Sequence, residues 1–255
     1  MSNVKEIYSE LDALIPRELS AAWDNDGLMV CPDGKREVRR VLLSLDATAA
    51  VVDEAKDFDL VITHHPMIFR KIGSVTEEQF VSKKVIDLIC RGASVMSFHT
   101  RFDAMDGGMN DILASKLGLS NVRKFGDTES PTLGRIGDIA PTDAAALSEK
   151  IKKTLLSPFV LCADSGKKIK KVAVCGGDGG DFIIPAKAAG ADALVTGRAG
   201  YNRMVDAVDD GITVIEAGHY YTEAIFAEYF EAFFAANHPE ITVVRSAHGC
   251  AIKAI

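Results

Sequence analysis

Five side chains that commonly bind metal ions lie at the ends of predicted strands. They are the adjacent pair His64 and His65, then Asp103, and far along the chain His219 and Glu223. Imidazole and carboxylate groups together suit borderline divalent ions such as zinc, manganese or iron. The residue types therefore indicate a metal site, and the elements around them must bring them together.

The histidine pair follows the apolar run 60–63, which predicts a strand ending at His64. Neighbouring side chains of a strand point to opposite faces, so both rings can share a site only where the strand ends and twists. Pro66 supplies that ending because it has no N–H for the sheet. An isolated pair would more often be two polar residues at a strand exit, but the repeated carboxylates favour metal binding.

Two histidines each precede a carboxylate by four residues, a spacing that places both groups on one face of a helical turn. The pairs are His99 with Asp103 and His219 with Glu223. We expect Asp103 to bind metal while His99 orients it or transfers protons; the alternative for His99 is a hydrogen-bonded core histidine. A helix predicted over 223–236 places Glu223 in its first turn, where the helix dipole favours a carboxylate even without metal.

The ligand count indicates two ions. Five side chains satisfy two metals if one carboxylate bridges them, and Glu223 is the candidate because its side chain is longer. Each ion then has about three protein ligands and room for water, as in catalytic sites. Two ions about 3.5–4 Å apart can polarise a substrate oxygen and activate a water. His99 and Glu223 are the predicted catalytic residues.

The elements that position these residues form a repeated plan. Residues 41–55 align with 172–186 at a constant offset of 131, and each segment is a strand, a polar turn and a helix. The further matches are 59–63 with 192–196 and 92–96 with 211–215. Continuous apolar strands favour a parallel sheet, and the shared order of the matches indicates an internal duplication.

The duplication predicts an α/β fold with two similar lobes. Each lobe is expected to be a mostly parallel sheet flanked by helices, with the metal site in the cleft between the lobes, because open parallel sheets bind ligands at the carboxyl ends of their strands. The segments 127–131 and 141–143 interrupt the periodicity. We therefore assign 1–127 to the first lobe and 128–236 to the second, with 237–255 returning to the first.

Composition and charge disfavour several classes of function. The 255 residues are 47% hydrophobic with a formal net charge of -7, so nonspecific nucleic-acid binding is not expected, and the basic run 167–171 is predicted to be a solvated loop. No run of about eighteen apolar residues predicts a membrane helix, and the polar, acidic N-terminus is unlike a signal peptide. Five cysteines without C-x-x-C spacing are typical of reduced thiols in the cytoplasm.

Two segments of the second half leave alternatives open. The glycine-rich run 175–180 lies between a strand and a helix, as a phosphate loop would, but it lacks a complete phosphate-binding motif, so a tight strand-to-helix turn is favoured. Residues 196–202 take the place of the histidine pair. Arg198 in that segment is either a clamp for an anionic substrate or a surface arginine.

Short motifs run through nearly the whole chain. They are Trp23-Asp24-Asn25 with Gly27-Leu28, Thr63-His64-His65-Pro66, Ser97-Phe98-His99-Thr100 with Asp103, Gly107-Gly108-Met109-Asn110-Asp111, and Gly218-His219 with Thr222-Glu223. In these motifs the chain resembles the NIF-three-like family, whose bacterial members are often described as GTP cyclohydrolase 1 type 2 homologs. The resemblance implies a dinuclear metal centre between two α/β lobes and a ring-shaped homohexamer.

Transferred position by position, the resemblance makes His64 and Asp103 ligands of one ion. It makes His65 and His219 ligands of the other, with Glu223 contacting both ions. The chain resembles the short form of the family, which lacks a domain that some relatives insert between the lobes.

The sequence departs from the usual family pattern at Arg101, where Asn is common, and at Arg198 and Asn202, where acidic and His residues are common. Asp24 and Asn25 join Arg198 as predicted substrate contacts.

These observations predict a protein that binds two divalent metal ions and hydrolyses a nucleotide or another small anionic substrate; the family name suggests GTP. The alternative is a non-enzymatic protein that binds metal or a partner, including a regulatory nucleotide sensor. We expect a cytoplasmic homo-oligomer with a small-molecule substrate and without nucleic-acid or membrane partners.

Overall fold

A computed structural model gives the structure of residues 2–254, which form two compact units. The first unit contains the chain up to Phe102 together with Phe226–Ala251, and the second contains Asp103–Ile225 with the residues from Ile252 onward. Each unit has its own sheet. The lobe boundaries expected at 127/128 and 236/237 stay predictions.

The first unit is built on a five-stranded sheet. Its strands are β1 (Gly27–Val30), β2 (Arg40–Ser44), β3 (Leu60–Thr63), β4 (Ser94–Ser97) and β11 (Thr242–Arg245). Its helices are α1 (Val4–Leu14), α2 (Ala49–Glu54), α3 (Phe80–Arg91), the start of α4 (Thr100–Ala104), and α10 (Phe226–Asn237). The strand order is β1-β4-β3-β2-β11. Among the described residues of this sheet, β1 and β4 form the only antiparallel pair, and the other three pairs are parallel.

Parallel pairing explains the continuous apolar runs of the central strands, because helices cover such a sheet and leave few exposed positions. Leu42, Val61 and Val95 on three neighbouring strands are fully or almost fully buried. They belong to one core cluster with Val52 of α2 and Leu88 of α3. This core fixes the strands whose carboxyl ends precede the histidines of the first half.

Helix α10 closes the core of the first unit with aromatic rings. The ring of Phe230 lies 5.6 Å from the rings of both Phe98 and Phe102, centroid to centroid. The chain then continues into β11, which pairs in parallel with β2. This last strand therefore lies in the sheet of the first unit.

The second unit contains a six-stranded sheet. Its strands are β5 (Ser120–Phe125), β6 (Gly134–Thr142), β7 (Leu161–Ala163), β8 (Ile169–Asp178), β9 (Ala193–Arg198) and β10 (Thr213–Glu216). Its helices are α5 (Met109–Lys116), α6 (Ala144–Thr154), α7 (Ile183–Ala188), α8 (Tyr201–Asp209) and α9 (His219–Glu223). The strand order is β5-β6-β8-β9-β10-β7.

The α/β prediction with two sheets is confirmed, but the second sheet is more mixed than expected. Strands β8, β9 and β10 form the predicted parallel core. Strands β5, β6 and β7 add antiparallel pairs at its two sides. In such a sheet not every connection between strands is a helix, because antiparallel neighbours do not need a helical crossover and can be joined by a short turn.

The strand register supports the internal duplication. In the first sheet Val41 pairs with Leu60, and in the second Val172 pairs with Ala193, which are the positions aligned by sequence. A pair of hydrogen bonds is also repeated. The Oδ2 atom of Asp59 accepts hydrogen bonds from the backbone N–H groups of residues 39 and 40, and Oδ2 of Asp192 accepts them from residues 170 and 171.

Among residues 2–254, no helix has both the length and the apolar composition needed to cross a membrane.

Candidate metal site

Three imidazoles cluster at one edge of the sheet in the first unit. His64 and His65 follow β3, and His99 follows β4, two parallel neighbours whose carboxyl ends meet at the same edge. The ring centroids are 5.1 to 5.5 Å apart, and one nitrogen of each ring lies within 4.8 Å of the others. The twist expected after β3 therefore does bring the adjacent histidines to one place.

Each of these imidazoles has its Nδ1 atom directed at a hydrogen-bond acceptor. Nδ1 of His64 lies 2.9 Å from the backbone oxygen of Phe98, and Nδ1 of His65 lies 2.8 Å from Oδ1 of Asp46. Nδ1 of His99 lies 3.0 Å from Oδ1 of Asp24. A carbonyl or carboxylate oxygen accepts only, so Nδ1 must carry the proton and Nε2 holds the lone pair in the neutral ring.

This arrangement is the usual one for histidines that bind metals, whose second nitrogen donates to a carboxylate or a carbonyl. His64 is fully buried, with the rings of Phe102 and Phe226 at 6.4 and 6.3 Å. His65 and His99 are partly exposed. The cluster thus has an apolar inner wall and two imidazoles accessible from solvent.

Asp24 and Asn25 both make hydrogen bonds to protein groups, and their predicted contact with a substrate stays a prediction. The second carboxylate oxygen of Asp24 accepts hydrogen bonds from the backbone N–H and the hydroxyl of Thr100 at 3.1 and 2.6 Å. Burial raises the pKa of Asp24, but the hydrogen bonds and charge of His99 and the bonds from Thr100 outweigh it and lower the pKa to about 2. Asn25 donates to the backbone oxygen of Ile68. Both residues shape the loop, and Asp24 orients His99.

In the second unit, the short helix α9 contains both candidate ligands of that half. Gly218 precedes it with φ +88°, a left-handed conformation that favours glycine, and the helix begins at His219. Nε2 of His219 lies 2.9 Å from Oε2 of Glu223. Glu223 is only 4% exposed. The four-residue spacing therefore does place both groups on one helical face.

The position of Glu223 within its helix differs from the prediction. The structure has a separate helix over His219–Glu223, and α10 begins only at Phe226. Glu223 is the last residue of α9 and does not lie in the first turn of the long helix. The reason is that Gly218, with its positive φ, starts a separate short helix at His219. Glu223 therefore lies outside α10, and a place in the first turn of that helix does not explain a carboxylate at this position.

Glycines at the ends of β8 and β9 make room for α9. A Cβ atom on Gly177 would lie 2.2 Å from Oε1 of Glu223, and one on Gly197 would lie 2.6 Å from Cα of His219. The N–H of Gly177 donates to Oγ1 of Thr222 at 3.1 Å. The glycine run is a strand-to-helix turn, as favoured, since β8 leads through a single 3₁₀ turn at Gly180–Phe182 into α7. Its glycines also admit the Glu223 side chain.

Asp103 is 8% exposed and lies in α4. Its backbone oxygen accepts a hydrogen bond from Nδ2 of Asn110 at 3.3 Å, and Oδ1 of Asn110 accepts one from the N–H of Gly176 at 2.9 Å. Burial raises the pKa of the Cys175 thiol well above its usual value, and the negative charges of Asp103 and Glu223 raise it further. Both carboxylates are therefore close enough to this buried thiol for their charges to disfavour its ionised form.

The three residues that depart from the family pattern have separate surroundings. Arg101 is fully buried, where it donates to Oδ1 of Asp12 at 2.6 Å and to Oδ2 of Asp26 at 3.1 Å. Arg198 lines a cavity of about 570 Å³ in the second unit with mostly apolar residues. Asn202 is exposed near the start of α8. Arg101 is thus part of the framework and has no surface through which to touch a substrate.

Sequence reasoning missed the groups that hold the ligands. Asp46, which orients His65, is the second residue after β2, so its place near a strand end was a usable signal. Asn110 links the Asp103 backbone to the glycine turn, and nothing in its local sequence distinguishes that function from helix capping. The carbonyl of Phe98 is a backbone group and leaves no signal in residue type.

The donors of each unit are of types that bind divalent metal ions. The first unit presents three imidazoles with oriented nitrogens. The second unit has two nearly buried carboxylates, where an ionised oxygen needs a cation or hydrogen bonds. Nitrogen and oxygen donors without thiolate suit zinc, manganese or iron.

Comparison with known proteins gives consistent matches along the chain. The sequence profile of the Duf34/NIF3 (NGG1p interacting factor 3) family matches residues 2–248. A Clostridium perfringens protein named GTP cyclohydrolase 1 type 2 homolog is 31% identical over 227 residues, covering 86% of each chain. A Helicobacter pylori protein named GTP cyclohydrolase 1 type 2 is 33% identical, covering 89% of each. A Staphylococcus aureus hypothetical protein has a similar structure, with TM-score 0.89, 25% identity and 99% of both chains covered.

Proposed function

The chain belongs to the Duf34/NIF3 family, and from this premise we propose that it is a metal-dependent hydrolase of a nucleotide or another small anionic substrate. The observation that supports metal binding most strongly is the imidazole cluster of the first unit. All three rings have Nδ1 at a hydrogen-bond acceptor, which puts the lone pair of each neutral ring on Nε2, the atom that would bind a metal. A purely structural histidine cluster has no need to orient every ring in the same sense.

We assign five residues as ligands of two ions. His64 and Asp103 would hold one ion, His65 and His219 would hold the other, and Glu223 would contribute to both. This proposal rests on the donor types, on the burial of the carboxylates and on the family resemblance. Ions held there would lower the pKa of a bound water and polarise a substrate oxygen.

His99 is proposed to move protons. Its Nδ1–H is held by Asp24 at 3.0 Å, so the ring has a fixed orientation and its Nε2 can accept a proton. The Asp24 carboxylate stabilises the imidazolium that results, because its own pKa of about 2 keeps it ionised. His99 also lies within the imidazole cluster, which suits proton transfer beside a metal ion.

The substrate proposal follows the names of the relatives. Several are called GTP cyclohydrolase 1 type 2 or its homolog, so we propose a purine nucleotide such as GTP, opened hydrolytically. Arg198 remains a candidate for binding an anionic group, and its cavity of about 570 Å³ is large enough for part of a small ligand.

The proposal extends to assembly and location. We propose a homohexamer, by family resemblance, and a cytoplasmic protein, supported by cysteines that are all free thiols among the described residues. Light scattering on the purified protein would test the hexamer.

A nucleotide panel tests the hydrolase. Metal-loaded protein is incubated with GTP, ATP and their monophosphates, and products are separated by chromatography. Glu223→Gln should lose both metal and turnover, whereas Glu240→Gln, a change at an exposed glutamate, should keep both. Turnover that persists in Glu223→Gln despite lost metal would contradict the proposal. Fully metal-loaded protein without turnover would favour the alternative, a metal-binding or partner-binding protein, which agrees with the interacting-factor description of the family.

A further inference from the structure

The only tryptophan of the chain lies beside the imidazole cluster with much of its surface open. Trp23 is 56% exposed, although tryptophan is on average one of the more buried residues. Its ring centroid lies 6.1 Å from that of His99 and 6.0 Å from that of Phe69. The interplanar angles are 71° and 66°, so neither neighbour lies flat on the indole.

The loop around Trp23 is tied to the same elements that position His99. The N–H of Ala21 donates to Oγ1 of Thr100 at 2.9 Å, and the carboxylate of Asp24 accepts hydrogen bonds from both Thr100 and His99. Hydrogen bonds therefore hold the loop at residues both before and after Trp23 in the chain. An exposed ring that is held in place loses little conformational entropy when a ligand covers it.

We propose that Trp23 is a stacking platform for the planar heteroaromatic ring of the substrate. This inference rests on the proposed function and narrows its substrate to molecules with such a ring, a purine base being the expected one. Aromatic side chains stack on any base because every base has a π-face. The indole borders His99, so a stacked ring would lie next to the groups proposed to act on it.

The surface beyond the indole suits a nucleotide better than a neutral base. Phe69 is 46% exposed and extends the aromatic surface. Arg70 and Lys71 follow it directly and are exposed. Positive charges near the platform favour a phosphorylated ligand, although they act only as screened surface charges.

The fluorescence of Trp23 reports directly on this platform, since no other tryptophan contributes. Metal-loaded protein is titrated with GMP, which has the guanine base without the triphosphate, and with ribose 5-phosphate, which has no base. N-acetyltryptophanamide controls for light absorbed by guanine. We expect saturable quenching by GMP and none by ribose 5-phosphate. No saturable quenching by GMP, or equal quenching by ribose 5-phosphate, would overturn the inference.

Two variants separate stacking from general packing. Calorimetry should show GMP binding weakened on the order of tenfold in Trp23→Leu, and weakened less in Trp23→Phe, which keeps an aromatic face. Metal content should match that of the wild type in both variants. Equal GMP affinity in wild type and Trp23→Leu would overturn the inference.

The experiments can contradict the stacking inference and the hydrolase proposal independently of each other. Quenching by GMP without turnover of any nucleotide supports the platform and contradicts the hydrolase. Turnover with an unchanged KM in Trp23→Leu and no quenching supports the hydrolase and overturns the platform.

Discussion

Replacing Gly177 by alanine tests whether the Glu223 carboxylate must stay where the structure places it. Gly177 has φ +66°, and a Cβ atom there would lie 2.2 Å from Oε1 of Glu223 and 3.3 Å from Nε2 of His219. The substitution places a methyl group against two proposed ligands and leaves both ligands chemically intact.

The expected effect follows from the distances. Cβ contacts under 3.0 Å essentially do not occur, so Oε1 of Glu223 must retreat by about 0.8 Å, several times the roughly 0.2 Å that metal–ligand distances tolerate. We expect metal affinity to fall by at least about 10–100-fold, the loss typical when a group that only orients a ligand is removed. The left-handed backbone costs the alanine a further ~1–2 kcal/mol of stability.

Gly190→Ala is the matched control. Gly190 has φ +90°, and a methyl group added there would meet no atom within 4 Å, so this variant has the backbone strain without the contact. Thermal unfolding of metal-free protein should show a loss of stability in both variants. A titration against a competing chelator should show a loss of metal affinity in Gly177→Ala alone. Equal affinities in the two variants would refute the reasoning.

Three further predictions concern the framework around the site. Asp24→Ala should lower nucleotide turnover about 10–100-fold and leave metal affinity unchanged, because His99, the proposed proton carrier, loses the acceptor that orients it; a turnover assay and a chelator titration check both expectations. Since the folded pKa of Asp24 lies below its ordinary value of 3.8, its contribution to stability should be full above that value and disappear as the pH falls through about 2, so wild type and variant should converge in acid. Arg101→Leu should destabilise the protein by ~3–5 kcal/mol because a buried carboxylate loses its partner, whereas exposed Arg70→Leu should change the free energy of unfolding by less than about 0.5 kcal/mol; similar urea midpoints would contradict this. Iodoacetamide should modify the exposed Cys90 and leave the buried Cys175, whose thiol pKa is raised, unmodified. Peptide mass spectrometry measures both modification rates, and equal rates would contradict the burial of Cys175.

Much of the fold could be predicted because the chain repeats itself. The alignment of 41–55 with 172–186 fixed equivalent strands, and the structure pairs them in equivalent registers. Apolar runs at the centre of a parallel sheet are a strong local signal. The clustering of His64, His65 and His99 followed from the same signal, since parallel neighbours end at one edge.

The features of the fold and site that could not be predicted depend mainly on contacts between segments distant in sequence. Strands β5 to β7 are antiparallel additions with no repeat partner in the predicted plan. The early start of α9 depends on the left-handed conformation of Gly218, which residue type alone does not specify. The buried position of Arg101 depends on Asp12 and Asp26, and their meeting is a result of tertiary packing.

The most direct test of the account is the number of metal ions per chain in the purified protein, measured by inductively coupled plasma mass spectrometry against a protein concentration from amino-acid analysis. We expect a ratio near two for the wild type, with ions lost when either His64 or His219 is replaced by alanine. A ratio near one, or a ratio that neither substitution changes, would contradict it.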